Sequence, residues 1–278
     1  MHNADLFGFD TGSLNWQVVK VIRKQSGLVV HVHNYMSHQL PKHLELLKLD
    51  SNSNDKMKVL ILGLPRTGTQ SLADALIQLG ISPIYHMREV AKNKHQDLWV
   101  EALESKFQGV GEPLRRERFE RILAGFEGVA DYPAAIFPVE LAEAYPEAAI
   151  ILSTRSEDKW FDSMMATLVH LEQNRKQDQP GPMSTLSRKY HQHCWGSDFP
   201  ANGRAFFQEH NQLVRELRKD RKFLEWEPQQ GWAPLCAFLG LAAPPGGTPF
   251  PRSDDWVEYK KVEEEKRQLA ASGASAEA

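Results

Sequence analysis

The hydrophobic pattern changes character at Lys58. Before it, apolar positions occur in short clusters. Leu28-Val29-Val30-His31-Val32-His33 is a β-type patch, LPKHLELLKL a short helical one, and DSNSND a polar linker. Residues 1–56 therefore read as an N-terminal extension, either an added hairpin and helix or a poorly ordered arm. From Lys58 the chain alternates strand and helix. Val59–Leu62 is an apolar strand. A glycine-containing turn leads to a helix over Thr69–Leu79, with Leu72, Ala75, Leu76 and Leu79 on one face and Gly80 closing it. A short strand over Pro83–His86 follows, then a helical region from Arg88 to Phe107 and a helix over Arg115–Ala124. Gly128-Val129-Ala130 reads as a strand ending at Asp131, and Pro138 starts a helix reaching Tyr145.

Ala148–Ser153 has the uninterrupted apolar run of a strand buried on both faces. It ends at Thr154-Arg155, and a helix begins near Ser156 with Glu157 and Asp158 in its first turn, where the helix dipole favours acids. Residues 174–203 are polar and interrupted by Pro and Gly, which predicts a long loop or lid. A helix over Gly203–Lys219, a strand over Lys222–Glu225 and a helix over Gly231–Leu239 complete the α/β domain, residues 57–255. Residues 256–278 read as a charged helix fraying into a disordered tail. Strands alternating with helices imply a three-layer α/β fold with a mainly parallel central sheet. Ligands in such sheets bind beyond the carboxyl ends of the strands. The opening loop, Tyr85-His86, Asp131 and Arg155 all fall at such ends and are expected to converge on one crevice.

Composition narrows the partners. Over 278 residues the formal charge is −3, which argues against a nucleic-acid footprint. No apolar run is long enough to span a bilayer, so no membrane partner is expected. The N-terminus lacks a basic-then-apolar secretion pattern, and with two cysteines, Cys194 and Cys236, a cytoplasmic, reduced protein is expected. His191, His193 and Cys194 lie together without a second ligand pair, so no metal is expected. The oligomeric state has no sequence signal.

The chemistry concentrates in Gly63-Leu64-Pro65-Arg66-Thr67-Gly68-Thr69. A strand, a tight loop and a helix N-terminus form a cradle for phosphate or a similar oxyanion. The glycines Gly63 and Gly68 have the separation of the triphosphatase loop G-x-x-x-x-G-K-[ST]. Thr69 stands where that loop has its lysine, and Gln70 where it has the hydroxyl that holds Mg²⁺. A second unit pairs Arg155, after a buried strand, with Ser163 eight residues on. This pair suits a phosphate distant from the first cradle, hence a ligand with two separated anionic groups.

These features together resemble the P-loop sulfotransferases that use 3′-phosphoadenosine-5′-phosphosulfate (PAPS), in particular a subgroup common in fungi. The resemblance runs from Lys58 to Asp255 through VLILGLPRTGTQSL, PIYHM, VADYPAAIFP, AIILSTRSEDKWFDSM and GWAPLCAFLG. It implies that Pro65, Arg66, Thr67, Gly68, Thr69, Gln70 and Ser71 hold the 5′-phosphosulfate, and that Arg155 and Ser163 hold the 3′-phosphate. It also implies that a late basic loop closes over that phosphate, in the region of Arg252. Many cytosolic members carry a lysine in the loop and an aromatic three residues after its glycine. Here those positions are Arg66 and Ser71, so the adenine partner is not identified; Trp160 and Phe161 are core or cofactor-wall residues.

Sulfuryl transfer needs neither a γ-phosphate nor Mg²⁺, so the lost lysine and hydroxyl fit the resemblance. Catalysis would be electrostatic, with Arg66 neutralising charge on the bridging oxygen. His86 and Asp131 are the candidate bases that take the proton of a small-molecule hydroxyl or amine. His86 has the better unperturbed pKa, whereas Asp131 is ionised without any shift. The rivals are a P-loop nucleotide kinase or triphosphatase, and a non-catalytic or repurposed sulfotransferase-like protein in a small-molecule biosynthetic pathway.

Overall fold

The computed structural model describes residues 20–24, 27–31, 56–175 and 181–254. The chain divides into two units, Met1–Ser53 and Asn54–Ala278. In the first, β1 (Lys20–Lys24) and β2 (Gly27–His31) pair antiparallel, with Lys20 opposite His31 and Lys24 opposite Gly27. The helix expected at LPKHLELLKL and the charged tail over 256–278 lie outside the described residues.

The second unit is built on a parallel sheet of β3 (Val59–Ile61), β4 (Ile84–Tyr85), β5 (Gly128–Ala130), β6 (Ala149–Ser153) and β7 (Phe223–Trp226). The strand order is β4-β5-β3-β6-β7. In register, Leu60 lies between Val129 and Ile150, and Ser153 is opposite Trp226. β3 is central, flanked by β5 and β6. The connection leaving β3 runs toward one edge, and that leaving β6 toward the other. Their carboxyl ends therefore border the crevice where such sheets bind ligands.

Period-two alternation sends the strand side chains to two faces. Leu60, Leu62, Val129, Ile150 and Leu152 join one apolar cluster. Helices α3 (Gln96–Gln108), α4 (Arg116–Leu123), α5 (Pro138–Ala144), α6 (Glu157–Met164), α8 (Pro182–Trp195) and α9 (Phe199–Glu216) supply its other side. Val59, Ile61, Ala130, Ile151 and Trp226 face the second cluster, against α1 (Thr69–Gln78) and α10 (Trp232–Leu239). This is the three-layer α/β arrangement with a parallel central sheet. Between α6 and α8 lie a π-helical turn, Met165–Val169, and the short α7 (His170–Gln173).

Two expectations are corrected. The helical stretch from Arg88 to Phe107 is two helices, α2 (Met87–Lys92) and α3, because Lys94 takes a left-handed φ of 57° between them. The loop or lid expected at 174–203 is instead largely α8 and the start of α9, with residues 176–180 outside the described set. Leu186, Tyr190, Cys194 and Trp195 of α8 are buried in the core, and Lys189 pairs with Glu104 of α3 at 3.1 Å. The residues that looked like interruptions are helix ends. Pro182 is in the first turn of α8 and Gly196 is its left-handed C-cap. The Asp198 carboxylate caps α9 by accepting from the Ala201 N–H at 3.1 Å.

Candidate functional site

The loop between β3 and α1 is held from beneath by groups reaching its carbonyl oxygens. His210 Nε2 lies 2.7 Å from the Leu62 oxygen; since a carbonyl only accepts, that nitrogen carries the proton. Trp160 Nε1 donates to Pro65 O at 2.9 Å, and Arg155 Nη1 to Arg66 O at 3.0 Å. Thr67 Oγ1 donates to Leu64 O at 2.7 Å and lies 2.8 Å from Ser153 Oγ. Gly63 passes so close to β6 that a Cβ there would lie 2.1 Å from the Ser153 carbonyl oxygen. Arg66 and Gly68 have left-handed φ values of 69° and 88°, which turn the chain into the N-terminus of α1. The first N–H groups of that ten-residue helix have no intrahelical partner, so the cradle is a polar, electropositive helix end.

The Arg66 side chain is committed on two sides. Its Nε donates to Ser163 Oγ at 3.1 Å. Its Nη1 and Nη2 donate to the two carboxylate oxygens of Asp254 at 2.8 and 2.9 Å. Arg155 and Ser163 therefore meet at Arg66, one through its backbone and the other through its side chain. The pair thus packs directly on the loop rather than apart from it. Burial and the neighbouring Arg66 charge lower the Arg155 pKa.

A second cluster closes the same crevice. Thr69 at the start of α1, His86 just beyond β4 and Asp131 just beyond β5 are all buried. Thr69 Oγ1 donates to Asp131 Oδ1 at 3.1 Å and lies 3.4 Å from His86 Nε2. His86 Nε2 is 3.3 Å from Asp131 Oδ2. Asp131 has a left-handed φ of 68°. Its side chain is thus turned to Thr69 and His86, rather than to a cap of the following turn.

Both clusters border a cavity of about 790 Å³, in the size range of small-molecule sites. Of the residues expected in the site, Pro65, Arg66, Gly68, Thr69, Gln70, His86, Asp131 and Arg155 line it. Three do not. Thr67 is fully buried under the loop, Ser71 bonds to the backbone of Ser253, and Ser163 stands behind Arg66. Tyr85 also turns inward, accepting from Trp99 Nε1 at 2.9 Å. Trp160 is core and loop support rather than a cavity wall.

The cavity also contains residues that sequence reasoning missed. Lys159, one turn beyond Arg155, adds a cation, and Asp254 adds an acid from the far end of the domain. Lys159 was legible as an i, i+4 neighbour of Arg155; Asp254, distant in sequence, gave no signal. Ser253 and Asp254, not Arg252, bring that late segment to the cavity. Other lining cations are neutralised locally: Arg88 pairs with Asp74, and Arg215 with Glu225 at 2.6 Å. Among the described residues Arg155 and Lys159 form no ion pair, and the acids Asp131 and Glu227 line the same cavity. No helix among them is long and apolar enough to cross a membrane.

Comparison with known proteins places the chain in a family. A sulfotransferase-domain profile matches residues 58–259, the stretch that contains the sheet, the loop and both clusters. Ava biosynthesis cluster protein M of Aspergillus versicolor is 37% identical over 235 residues, covering 74% of this chain and 88% of that protein. On both grounds the chain belongs to the sulfotransferase-domain family.

Proposed function

We propose that this protein transfers a sulfuryl group from PAPS to a hydroxyl or amine of a small molecule, within a biosynthetic pathway like that implied by the name of its Aspergillus relative. One observation carries the reading. A single cavity is lined both by the cations Arg66, Arg155 and Lys159 and by the Thr69–His86–Asp131 cluster. The Arg66 guanidinium already holds a two-oxygen anion, the Asp254 carboxylate, in bidentate geometry. Phosphate and sulfate present the same pair of oxygens, so this donor set fits the phosphosulfate end of PAPS. Arg155 and Lys159 supply charge for its second phosphate.

The bound donor supplies an activated sulfuryl group whose S–O bond to the 5′-phosphate breaks as the acceptor oxygen or nitrogen bonds to sulfur. The chain's residues do the rest by charge and proton placement. Arg66 stabilises negative charge on the leaving phosphate, and its loss is expected to slow turnover by about 10²–10³. The His86–Asp131 pair takes the acceptor proton. In this reading His86 takes the proton and Asp131, 3.3 Å from its Nε2, stabilises the resulting imidazolium.

Thermal-shift titration tests this. 3′-Phosphoadenosine-5′-phosphate should stabilise the wild type more than ATP–Mg²⁺ or NAD, and Arg155→Ala should lose most of that shift. Tighter binding of ATP–Mg²⁺ would transfer the protein to the nucleotide kinases, and binding without sulfuryl turnover to a non-catalytic role.

A further inference from the structure

The geometry points to an internal anion gate: Asp254 occupies the position on Arg66 that an incoming phosphate or sulfate must take. The inference rests on the proposed donor site for its ligand, and on the structure for its contacts. Arg66 directs Nε to Ser163, and Nη1 and Nη2 to Asp254. Every nitrogen of the guanidinium is then engaged, and its outward edge is covered by a carboxylate that also lines the cavity. An oxyanion cannot take that edge while Asp254 holds it, and two anions sharing it would repel.

The carboxylate comes on a segment with a defined anchor. Phe250 packs against Trp226 and Trp232, with ring centroids 5.2 and 4.8 Å away. Three residues further, Ser253 N donates to Ser71 Oγ at 3.1 Å, and the next residue, Asp254, reaches Arg66. The aromatic anchor stays packed while the contacts of Ser253 and Asp254 with Ser71 and Arg66 exchange for contacts with the ligand. Asp254 is partly exposed, so water can solvate its carboxylate once displaced. A closed state favoured by such a pair lowers apparent ligand affinity by the fraction of open protein. The gate also discriminates, because a neutral or singly coordinating ligand gains too little from Arg66 to displace a bidentate carboxylate.

The test compares wild type, Asp254→Ala and Asp254→Ala/Arg66→Ala by calorimetric titration with 3′-phosphoadenosine-5′-phosphate and, separately, with inorganic pyrophosphate. The gate predicts about fivefold tighter binding of both ligands to Asp254→Ala, as expected for removal of a competing, partly exposed ion pair, and no such gain when Arg66 is also absent. Equal or weaker binding of 3′-phosphoadenosine-5′-phosphate by Asp254→Ala overturns the gate and leaves the donor reading intact. Tighter pyrophosphate binding by Asp254→Ala, with no nucleotide binding by any form, upholds the gate and overturns the donor reading. No binding of either ligand by any form overturns both.

Discussion

The indole of Trp160 donates a hydrogen bond to the carbonyl oxygen of Pro65 across 2.9 Å, joining α6 to the turn that follows β3. Trp160 is fully buried, stacked on Phe207 with centroids 4.4 Å apart. The aromatic core thus fixes the height of the loop above the sheet. Trp160→Phe keeps most of the apolar contact but leaves the Pro65 carbonyl without this donor. Thermal or denaturant unfolding should show a loss of about 1–3 kcal/mol. Nucleotide affinity should fall as well, because Arg66 is the next residue in the chain. Unchanged unfolding and binding would show that the loop is held without the indole.

Gly63 is constrained by proximity rather than by an unusual backbone angle. A methyl group there would lie 2.1 Å from both the carbonyl oxygen and the hydroxyl oxygen of Ser153. Neither atom can retreat, since Ser153 belongs to β6 and its hydroxyl meets Thr67. Gly63→Ala should cost several kcal/mol, on the order of other severe core overpacking, and abolish nucleotide-induced stabilisation. Gly80→Ala makes a fair control: it has space for a Cβ, and its φ of 83° limits its cost to backbone strain. A Gly63→Ala protein as stable as the Gly80→Ala control would contradict the close approach.

The sheet and the cradle were legible because they depend on local pattern. Ala149–Leu152 is apolar throughout and Ala149–Ser153 is buried throughout, and Gly63 and Gly68 bracket the turn as their spacing implies. What was misread depends on contacts distant in sequence. Pro182 and Pro200 break a helix in its interior but suit its first turn, and only the docking of Tyr190 and Trp195 into the core shows which applies. Gly203 lies within α9 because the Phe199 ring covers it, a Cβ meeting that ring at 2.6 Å. Thr67 looked like a ligand from its motif, yet its hydroxyl is consumed by Leu64 and Ser153. His210 had no motif at all, and its role under Leu62 exists only once α9 packs on the sheet.

His210 gives the fold a defined acid sensitivity. Burial lowers its pKa from an ordinary 6.5 to about 4, so the native protein holds it neutral. Below pH 6.5 the unfolded chain takes up a proton that the folded chain refuses. Stability from this group is therefore complete above about pH 6.5, falls as the pH drops toward 4, and falls no further below it. The full loss is about 3 kcal/mol. His191, which accepts from Trp195 Nε1 at 3.1 Å, is likewise lowered to about 4 and acts over the same window. Denaturant unfolding between pH 7 and 4 should show this decline, and His210→Gln should flatten it. An identical slope in the variant would assign the sensitivity elsewhere.

The Thr69–His86–Asp131 cluster allows the two candidate bases to be separated by kinetics. His86 Nε2 lies 3.3 Å from the Asp131 carboxylate and 3.4 Å from the Thr69 hydroxyl. If His86 takes the acceptor proton, His86→Gln should lower kcat by about 10²–10⁴ while leaving nucleotide affinity nearly unchanged. Asp131→Asn should then lower kcat less and shift the pH–rate profile to lower pH, because the carboxylate that favours imidazolium is gone. If Asp131 is the base, the order reverses: Asp131→Asn becomes the more damaging change and His86→Gln the milder one. Thr69→Val keeps the shape of the site and removes only the hydroxyl. Its effect should be small on nucleotide binding and visible in kcat, since Thr69 fixes Asp131 Oδ1 at 3.1 Å. A Thr69→Val enzyme with wild-type kcat and pH profile would remove the threonine from the machinery and leave the His86–Asp131 contact to act alone.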